Sequence, residues 1–324
     1  MECVMLPRGY RARATTLDDA EAVVSVIAAV EAAQGLGTQT TVADIRDDWR
    51  GSNLEDESLV IEDSGGAIVA NVDVLNRQYA VLNIYGAVHP EQEGKGLGRY
   101  LIEGGERWAF DHMDHAEPDV QVVVRHFVHT ANDAALRLFA SCGYEAVRTT
   151  YVMAIDLHEP PPTPVWPDGI VAAEYRPGVD ERSIYEAVED AFRDTWGRPP
   201  GTFERFREFS QGEGVKPDLW ILARAGDEVA GVFLGTLTSD QGWIPTIGVR
   251  RAWRRQGLGL ALLHAGFGAY FRCGVTDVRL SVDVQSPTGA SRLYERAGMR
   301  VASEFILHEK VLREGIDIGM SPDG

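Results

Sequence analysis

The chain has 324 residues, enough for two domains of ordinary size, each with its own core. Hydrophobic residues make up 44% and charged residues 25%, which excludes general disorder. The formal net charge of −18 excludes nucleic acid and anionic membranes as main partners, and no apolar run reaches membrane-spanning length. Three widely separated cysteines form no paired framework, and the first residues lack a signal-peptide core, so a cytoplasmic location is expected.

In chain order, the predicted elements form two similar series. In the first series, strands are predicted at 10–14, 59–62, 67–75, 80–88, 120–127 and 146–157. Helices are predicted at 17–33 and 133–140, and a further helix is predicted directly after a glycine-rich turn. In the second series, strands are predicted at 171–175, 219–225, 229–236, 243–249, 278–284 and 301–312. Helices are predicted at 181–192, 203–209 and 288–297, and a further helix is predicted directly after a second glycine-rich turn.

A proline-rich segment separates the two series. Residues 158–169 contain five prolines, which exclude a helix or a central strand and predict a stiff, extended linker. When the glycine turns are aligned, Leu101 matches Leu262 and Gly143 matches Gly298. We therefore predict a duplicated α/β protein with an N-terminal domain at 1–157, the linker at 158–169, and a C-terminal domain at 170–324.

Each glycine-rich turn opens a helix with an apolar stripe. The first turn runs from Glu93 to Gly98 and the second from Arg254 to Gly259. Glycines at a helix start allow backbone N–H groups to surround a phosphate, and the helix dipole favours the negative charge. The second turn also follows a basic sequence in an acidic chain, with arginines at 250, 251, 254 and 255, which favours a polyphosphate ligand.

The second turn resembles the R-x-x-G-x-G motif of the GCN5-related N-acetyltransferases, here Arg254, Gly257 and Gly259. Further on, the segment from Ser286 to Met299 resembles that family's N-x-x-x-A-x-x-L-Y-x-x-x-G-[FM] pattern, with serine in place of the usual asparagine. The resemblance implies two tandem copies of one α/β fold. Each copy would be a mixed, mostly antiparallel twisted sheet that is flanked by helices and splayed by a bulge at the cofactor strand.

The resemblance also implies a site for acetyl-CoA and no metal. In the second half, the implied coenzyme contacts are Ile247, Gly248, Val249, Arg254, Arg255, Gln256, Gly257, Leu258, Gly259, Leu260 and Ser286. In the first half, they are Val88, Gly94, Lys95, Gly96 and Gly98. Backbone N–H groups of the turn would hold the pyrophosphate, and those near Val249 would polarise the thioester carbonyl.

Acyl transfer to an amine needs a base for the amine proton and an acid for the thiolate. Tyr294 lies where the family commonly places a tyrosine acid. The first half has Phe139 at that position and Glu93 where the second half has Arg254, so we expect the first half to be catalytically degenerate. Whether it still binds coenzyme A is left open.

The base has several candidates. On the predicted strand at 278–284, Asp283 shares a face with Ser281, the position where many relatives carry a glutamate. Three carboxylates spaced along one helix face could instead line the acceptor cleft; they are Glu186, Asp190 and Asp194. A solvated acidic face is the better explanation of those three, and Asp283 is the residue that we predict.

The tandem layout and the linker resemble the mycothiol synthases of the same family, in which an active C-terminal copy follows a degenerate one. The acidic residue of that group on the strand before the turn is replaced here by Trp243, so the resemblance carries the acyltransferase activity and not the acceptor. The function we predict is transfer of an acetyl group from acetyl-CoA to a primary amine of a small molecule.

Two alternatives remain: acetylation of a protein or peptide amine, and a coenzyme-binding sensor or scaffold without turnover. A homodimer is also left open. Two histidine groups, His126 with His129 and His112 with His115, are spaced too loosely and lack supporting cysteines, so no metal site is predicted.

Overall fold

The computed structural model describes residues 5–36, 40–50, 52–77, 79–196, 198, 201–212, 215–238, 241–286 and 288–317. The chain forms two compact units. The first unit combines Met1–Arg148 with Phe305–Asp317, and the second is built on Thr149–Glu304. None of the described helices is both long and apolar enough to cross a membrane.

The first half of the chain contains the elements β1 (Arg11–Ala14), α1 (Ala20–Ala33), α2 (Val42–Asp48), α3 (Leu54–Glu57), β2 (Ser58–Glu62), β3 (Ile68–Arg77), β4 (Val81–Val88), α4 (Leu97–His112), β5 (Val122–His129), α5 (Asp133–Ser141) and β6 (Glu145–Asp156). The helices α2 and α3 were not predicted. The other predicted elements are present, with ends shifted by a few residues.

The second half contains β7 (Ile170–Glu174), α6 (Glu181–Phe192), α7 (Phe203–Ser210), β8 (Val215–Ala225), β9 (Glu228–Thr238), β10 (Gln241–Val249), α8 (Leu258–Arg272), β11 (Asp277–Asp283), α9 (Ala290–Arg296) and β12 (Arg300–Arg313). Between β6 and β7 the backbone has no helix or strand, as the prolines predict.

Both units have the predicted mixed sheet. In the first unit the strand order is β1-β2-β3-β4-β5-β12, and in the second it is β7-β8-β9-β10-β11-β6. The pairings between β4 and β5 and between β10 and β11 are parallel. The other pairings reported within the units are antiparallel.

The last strand of each half completes the sheet of the other unit. Residues 150–156 of β6 pair with β11, and residues 305–313 of β12 pair with β5. The compact units therefore differ from the boundaries 1–157 and 170–324 that we predicted from the sequence. Strand partners are set by hydrogen bonding, and two similar copies can exchange equivalent strands without losing any pairing.

The second unit packs helices on both faces of its sheet. On one face, α8 places Leu262 and Phe267 against Phe233, and all three are fully buried. On the other face, Ile184 of α6 belongs to a separate buried cluster with Leu234 of β9. A helix on each face leaves the carboxyl end of β10 and the turn after it as the natural place for a ligand.

Candidate active site

The parallel strands of each unit separate after a short paired stretch. In the second unit, β10 pairs with β11 only at Gly242 and Trp243, and its register with β9 shifts between Trp243 and Thr246. In the first unit, β4 pairs with β5 only from Val81 to Asn83. The predicted splay is thus present in both units, and the predicted bulge lies in the second.

The separation leaves backbone donors facing the opening. The Arg250 N–H donates to the Ala230 carbonyl of β9 at 3.0 Å. The N–H groups of successive strand residues point alternately to the two neighbouring strands, so the N–H groups of Ile247 and Val249 face away from β9. The His89 N–H likewise donates to Val69 at 2.8 Å, so the N–H groups of Gly86 and Val88 face the opening of the first unit.

The two glycine-rich turns have matching backbone conformations. In the first turn, Gly94 and Gly96 have φ values of 73° and 88°. The second turn has φ values of 62° at Arg255 and 86° at Gly257. A left-handed residue directly before the helix directs the N–H groups of the first helical turn outward, where they can bind an anion.

The last glycine of each turn serves packing rather than ligand approach. A Cβ atom on Gly259 would lie 2.8 Å from the Leu293 side chain of α9, and one on Gly98 would lie 2.9 Å from Leu138 of α5. The two glycines therefore let α8 and α4 pack closely on the following helix.

Three of the four arginines at the second turn contact α6 or the residues directly after it. Arg254 donates to the carbonyls of Ala191 at 2.7 Å and Val249 at 3.2 Å. Arg251 forms an ion pair with Asp194, and Arg250 lies 3.6 Å from Asp190. Arg255 is exposed. The arginines other than Arg255 thus fix the turn to α6.

The acidic residues of α6 and of the segment after it pair with arginines. Asp190 accepts from the Arg251 N–H at 3.2 Å, and Asp194 pairs with the Arg251 side chain. Glu186 pairs with Arg182 of its own helix at 2.9 Å. Pairing with arginines is therefore the observed role of these carboxylates.

Tyr294 lies in the buried core beside α8. It is 7% exposed and belongs to the same cluster as Leu258 and Leu262, and Leu293 packs against that cluster. Burial raises the pKa of the Tyr294 phenol to about 12, so it remains protonated at neutral pH. The phenol therefore carries the proton that a general acid would donate to a departing thiolate.

Asp283 lies at the end of β11, on the border of the opening. Val278, Leu280 and Val282 of that strand are buried, which confirms the predicted alternation. The Asp283 carboxylate accepts from the Gln285 N–H at 2.8 Å, and its carbonyl accepts from the Ser286 N–H at 3.1 Å. The Ser286 hydroxyl lies 2.9 Å from that of Thr288. These bonds shape the turn before α9.

The first unit contains a cavity of about 880 Å³ beside its turn. Of the residues predicted to bind coenzyme in this half, Val88, Gly94, Gly96 and Gly98 line the cavity. Lys95 is exposed, and its ammonium donates to Gln92 at 2.7 Å. The cavity is large enough for a ligand of coenzyme-arm size.

His126 lines this cavity at the point where β4 and β5 separate. Its ring lies 3.3 Å from the Tyr144 hydroxyl, and its centroid is 4.5 Å from that of the Phe139 ring. Burial lowers the His126 pKa to about 3, so the imidazole is neutral.

The sequence profile of the acetyltransferase (GNAT) family matches residues 30–144 and 182–299, one match in each half. The chain belongs to this family.

Two similar proteins are named mycothiol acetyltransferases. A mycothiol acetyltransferase from Catenulispora acidiphila is 30% identical over 194 residues, which are 57% of this chain and 61% of that protein. A mycothiol acetyltransferase from Thermobispora bispora is 30% identical over 219 residues, 65% of this chain and 70% of that protein. This chain thus spans about three fifths of the length of the Catenulispora relative.

Among solved structures, a GCN5-related N-acetyltransferase from Sphaerobacter thermophilus is 45% identical, with a TM-score of 0.89 over 98% of this chain and 100% of that one. A tandem GNAT protein from the clavulanic acid biosynthesis pathway is 16% identical and has a TM-score of 0.71 over 95% of this chain and 100% of that one. The second likeness concerns the fold alone.

Sequence reasoning missed the polar side chains that line the cavity of the first GNAT unit. They include Asn71 and Asp73 of β3 and Trp49, which follows α2. A signal was present, because Asn71 and Asp73 alternate with valines in a strand that is otherwise mostly apolar.

Proposed function

We propose that this chain transfers the acetyl group of acetyl-CoA to the primary amine of a small molecule. The observation that supports this most is the separated strand pair that leads into the second turn, followed by a helix with Tyr294 behind it. Free backbone donors at the opening, an anion-binding helix start, and a protonated phenol are the three features that thioester aminolysis uses.

In the proposed reaction, the amine nitrogen attacks the thioester carbonyl carbon, so a C–N bond forms and the C–S bond breaks. The N–H of Val249 is proposed to stabilise the oxyanion, and Tyr294 to donate its proton to the leaving thiolate. Asp283, on the strand that borders the opening, is proposed to take the amine proton directly or through a water molecule. The turn Arg254–Leu260, together with Ser286, is proposed to hold the coenzyme.

The first unit is proposed to lack the proton-transfer step. Phe139 takes the place of Tyr294, and a phenyl ring has no proton to donate. Glu93, which is exposed, takes the place of Arg254 and adds negative charge beside the turn. We propose that this unit binds ligands through Gly94, Gly96 and Gly98 without transferring protons.

The acceptor is proposed by class only. The relatives that are about 30% identical are named mycothiol acetyltransferases. Trp243, whose backbone is the last point where β10 pairs with β11, occupies the position at which mycothiol synthases carry an acidic residue. We therefore propose a small amine acceptor whose recognition differs from theirs.

A calorimetric titration with acetyl-CoA tests the coenzyme site. Gly257→Asp places a carboxylate at a left-handed position, where a Cβ atom would have no described neighbour within 4 Å. The carboxylate should therefore repel the pyrophosphate without disturbing α9. Gly259→Asp is a poorer test because a side chain there would collide with Leu293. Gly96→Asp makes the equivalent change in the first unit.

Gly274→Asp is the matched control, since Gly274 is also left-handed and open but lies at the far end of α8. We expect the wild type and the control to bind, and Gly257→Asp to lose the second-unit site. Absence of binding to the wild type, or equal binding by Gly257→Asp, would overturn the assignment. A thiol-release assay with a panel of amines then identifies the acceptor class.

A further inference from the structure

Two polar side chains of β3 lie on the wall of the cavity in the first unit. Asn71 is 3% exposed and lines the cavity together with Asp73. Buried amides and carboxylates in native proteins are normally hydrogen-bonded. The hydrogen bonds of this pair therefore show whether a donor or an acceptor lacks a partner.

The Asp73 carboxylate accepts three hydrogen bonds. The donors are the Ser58 hydroxyl at 2.5 Å, the Trp49 indole N–H at 3.1 Å, and the Asn71 amide N–H at 3.2 Å. Since an ionised carboxylate only accepts, the last bond fixes which end of the Asn71 amide faces Asp73.

The other end of that amide is unsatisfied. The Oδ1 atom of Asn71 is buried and has no hydrogen-bond partner among the residues that the structure describes. Leaving a buried acceptor unpaired is destabilising. A residue of the cavity wall therefore has an acceptor that lacks a donor, next to a carboxylate.

The equivalent positions of the second unit are apolar. Asp73 pairs with Tyr85 and Asn71 with Ala87, whereas Leu234 pairs with Thr246 and Val232 with Gly248. Val88 and Val249 precede the two turns at equivalent points, so Asn71 corresponds to Val232 and Asp73 to Leu234. Both apolar residues are fully buried. The polar pair is thus not required by the fold.

Charge is distributed unevenly around this cavity. Besides Asp73, its wall includes Glu31 of α1, Asp48 of α2 and Glu57 of α3. The basic residues among the described lining residues are Arg99 of α4 and Arg137 of α5, the helices next to the turn. The end formed by α1, α2 and β3 is therefore acidic.

We propose that this end of the first-unit cavity binds the protonated amine of a small ligand, with Asn71 and Asp73 accepting its N–H groups. An ammonium group donates three hydrogen bonds and accepts none, which matches an unpaired acceptor beside a carboxylate. This site is separate from Tyr294 and goes beyond the proposed function, because it gives the first unit a binding role of its own.

The electrostatics of Asp73 agree with this geometry. Burial raises the pKa of Asp73 even though three donors act in the opposite direction. A bound cation would favour the ionised carboxylate and relieve that burial penalty.

Calorimetric titration with putrescine, in the absence of acetyl-CoA, tests the proposal on the full chain. We expect the wild type to bind putrescine and not butanediol, which has the same length and no charge. Asp73→Asn keeps the shape and removes the charge, and we expect at least about tenfold weaker binding, since hydrogen bonds to charged groups are stronger than those between neutral groups. Asn71→Val copies the second unit and should also weaken binding.

Glu55→Gln is the control, because Glu55 is an exposed first-unit carboxylate that does not line the cavity. It should bind putrescine like the wild type. Equal binding by the wild type, Asp73→Asn and Asn71→Val, or no binding by the wild type, would overturn the proposal. Because no acetyl-CoA is present, these results are independent of whether acetyl transfer occurs. Should Asp73→Asn fail to fold, Asn71→Val decides the outcome.

Discussion

The two units share one backbone path and differ in what covers the same face of the sheet. In the second unit, α6 lies so close to β10 that a Cβ on Gly248 would be 2.9 Å from the Ala191 side chain. Val232 and Leu234 are fully buried in the same region. In the first unit, Asn71 and Asp73 replace that apolar pair and line a cavity of about 880 Å³, whose wall also includes residues of α1. Two positions on one strand thus mark the difference between a packed core and a cavity.

A second difference concerns the groups beside the strand opening. The last pair between β4 and β5 is Asn83 with Arg125, and the last pair between β10 and β11 is Trp243 with Arg279. The next residues of β5 and β11, His126 and Leu280, therefore occupy equivalent positions in the two units. The second unit therefore combines an apolar residue at this point with Tyr294 in its core. The first unit combines a buried histidine with Phe139.

The largest effect is expected at Tyr294. Tyr294→Phe should lower kcat for acetyl transfer about 100-fold or more, because a positioned acid contributes roughly 10²–10⁴-fold. The KM for acetyl-CoA should change little, since the ring remains. Thiol release measured over a range of acetyl-CoA concentrations checks this. Phe139→Tyr in that background should not restore activity, and an unchanged kcat in Tyr294→Phe would remove the assigned role.

The next effect is the acid sensitivity of the first unit. The folded pKa of His126 is about 3, against 6.5 for an ordinary histidine, so between these values the unfolded chain binds more protons. Stability should therefore fall as the pH decreases below 6.5, by about 1.4 kcal/mol per pH unit. His126→Leu, which copies Leu280, should flatten this dependence in urea unfolding. His158→Leu at an exposed histidine should retain it.

A smaller effect distinguishes how tightly the two central helices pack. A Cβ on Gly266 of α8 would lie 2.2 Å from the Phe233 ring, while one on Gly105 of α4 would lie 2.5 Å from the tip of Ile84. Gly266→Ala should lower the unfolding free energy by about 1–3 kcal/mol, because a buried ring cannot move aside. Gly105→Ala should be nearly neutral, since Ile84 can rotate and alanine favours the helix. Equal losses in both variants, measured by denaturant unfolding, would contradict this difference.

The smallest effect concerns the start of the first helix. Asp19 accepts from Arg13 at 2.7 Å and from the Thr16 N–H at 2.8 Å, and Thr16 is the N-cap of the short 3₁₀ turn Leu17–Asp19 directly before α1. The Arg13 hydrogen bond, aided by Thr16, lowers the Asp19 pKa to about 2. Its stabilisation is therefore present above pH 4 and is lost as the pH falls toward 2. Asp19→Asn should reduce stability at pH 7 by about 1 kcal/mol.

Thermal unfolding at pH 7 and pH 2 measures that difference. The variant and the wild type should approach each other at the lower pH. Asp180→Asn is the matched change in the second unit, where Arg176 holds the pKa of the buried Asp180 carboxyl below its usual range. A constant gap between Asp19→Asn and the wild type at both pH values would show that charge is not the cause.

Local signals explain which parts of the fold were predictable. Prolines exclude regular structure wherever they occur, and a left-handed glycine before a helix is a property of a few consecutive residues. The linker, both turns and most strands follow from such signals. The helices α2 and α3 were missed because α2 is a short, largely polar segment and α3 is a single acidic turn.

The candidate site was only partly predictable. Gly94, Gly96 and Gly257 lie at the helix starts as expected, because backbone conformation is encoded locally. The arginines near the second turn were expected to meet a phosphate. The sequence did not predict that Arg251 and Arg254 also contact α6 and the residues after it, because Asp194 and the Ala191 carbonyl come from a segment about 60 residues earlier in the sequence.

By itself, the sequence determined that the chain is a duplicated α/β protein of the GCN5-related type with a glycine-rich turn in each half. Periodicity, turn residues and spacing are properties of neighbouring residues, so they can be read without knowing the fold. Tertiary structure alone decided that the last strands are exchanged and that Asn71 and Asp73 line a cavity while Val232 and Leu234 are packed. Strand partners and cavities arise from contacts between residues far apart in the chain, and no local pattern specifies which of two similar copies will make them.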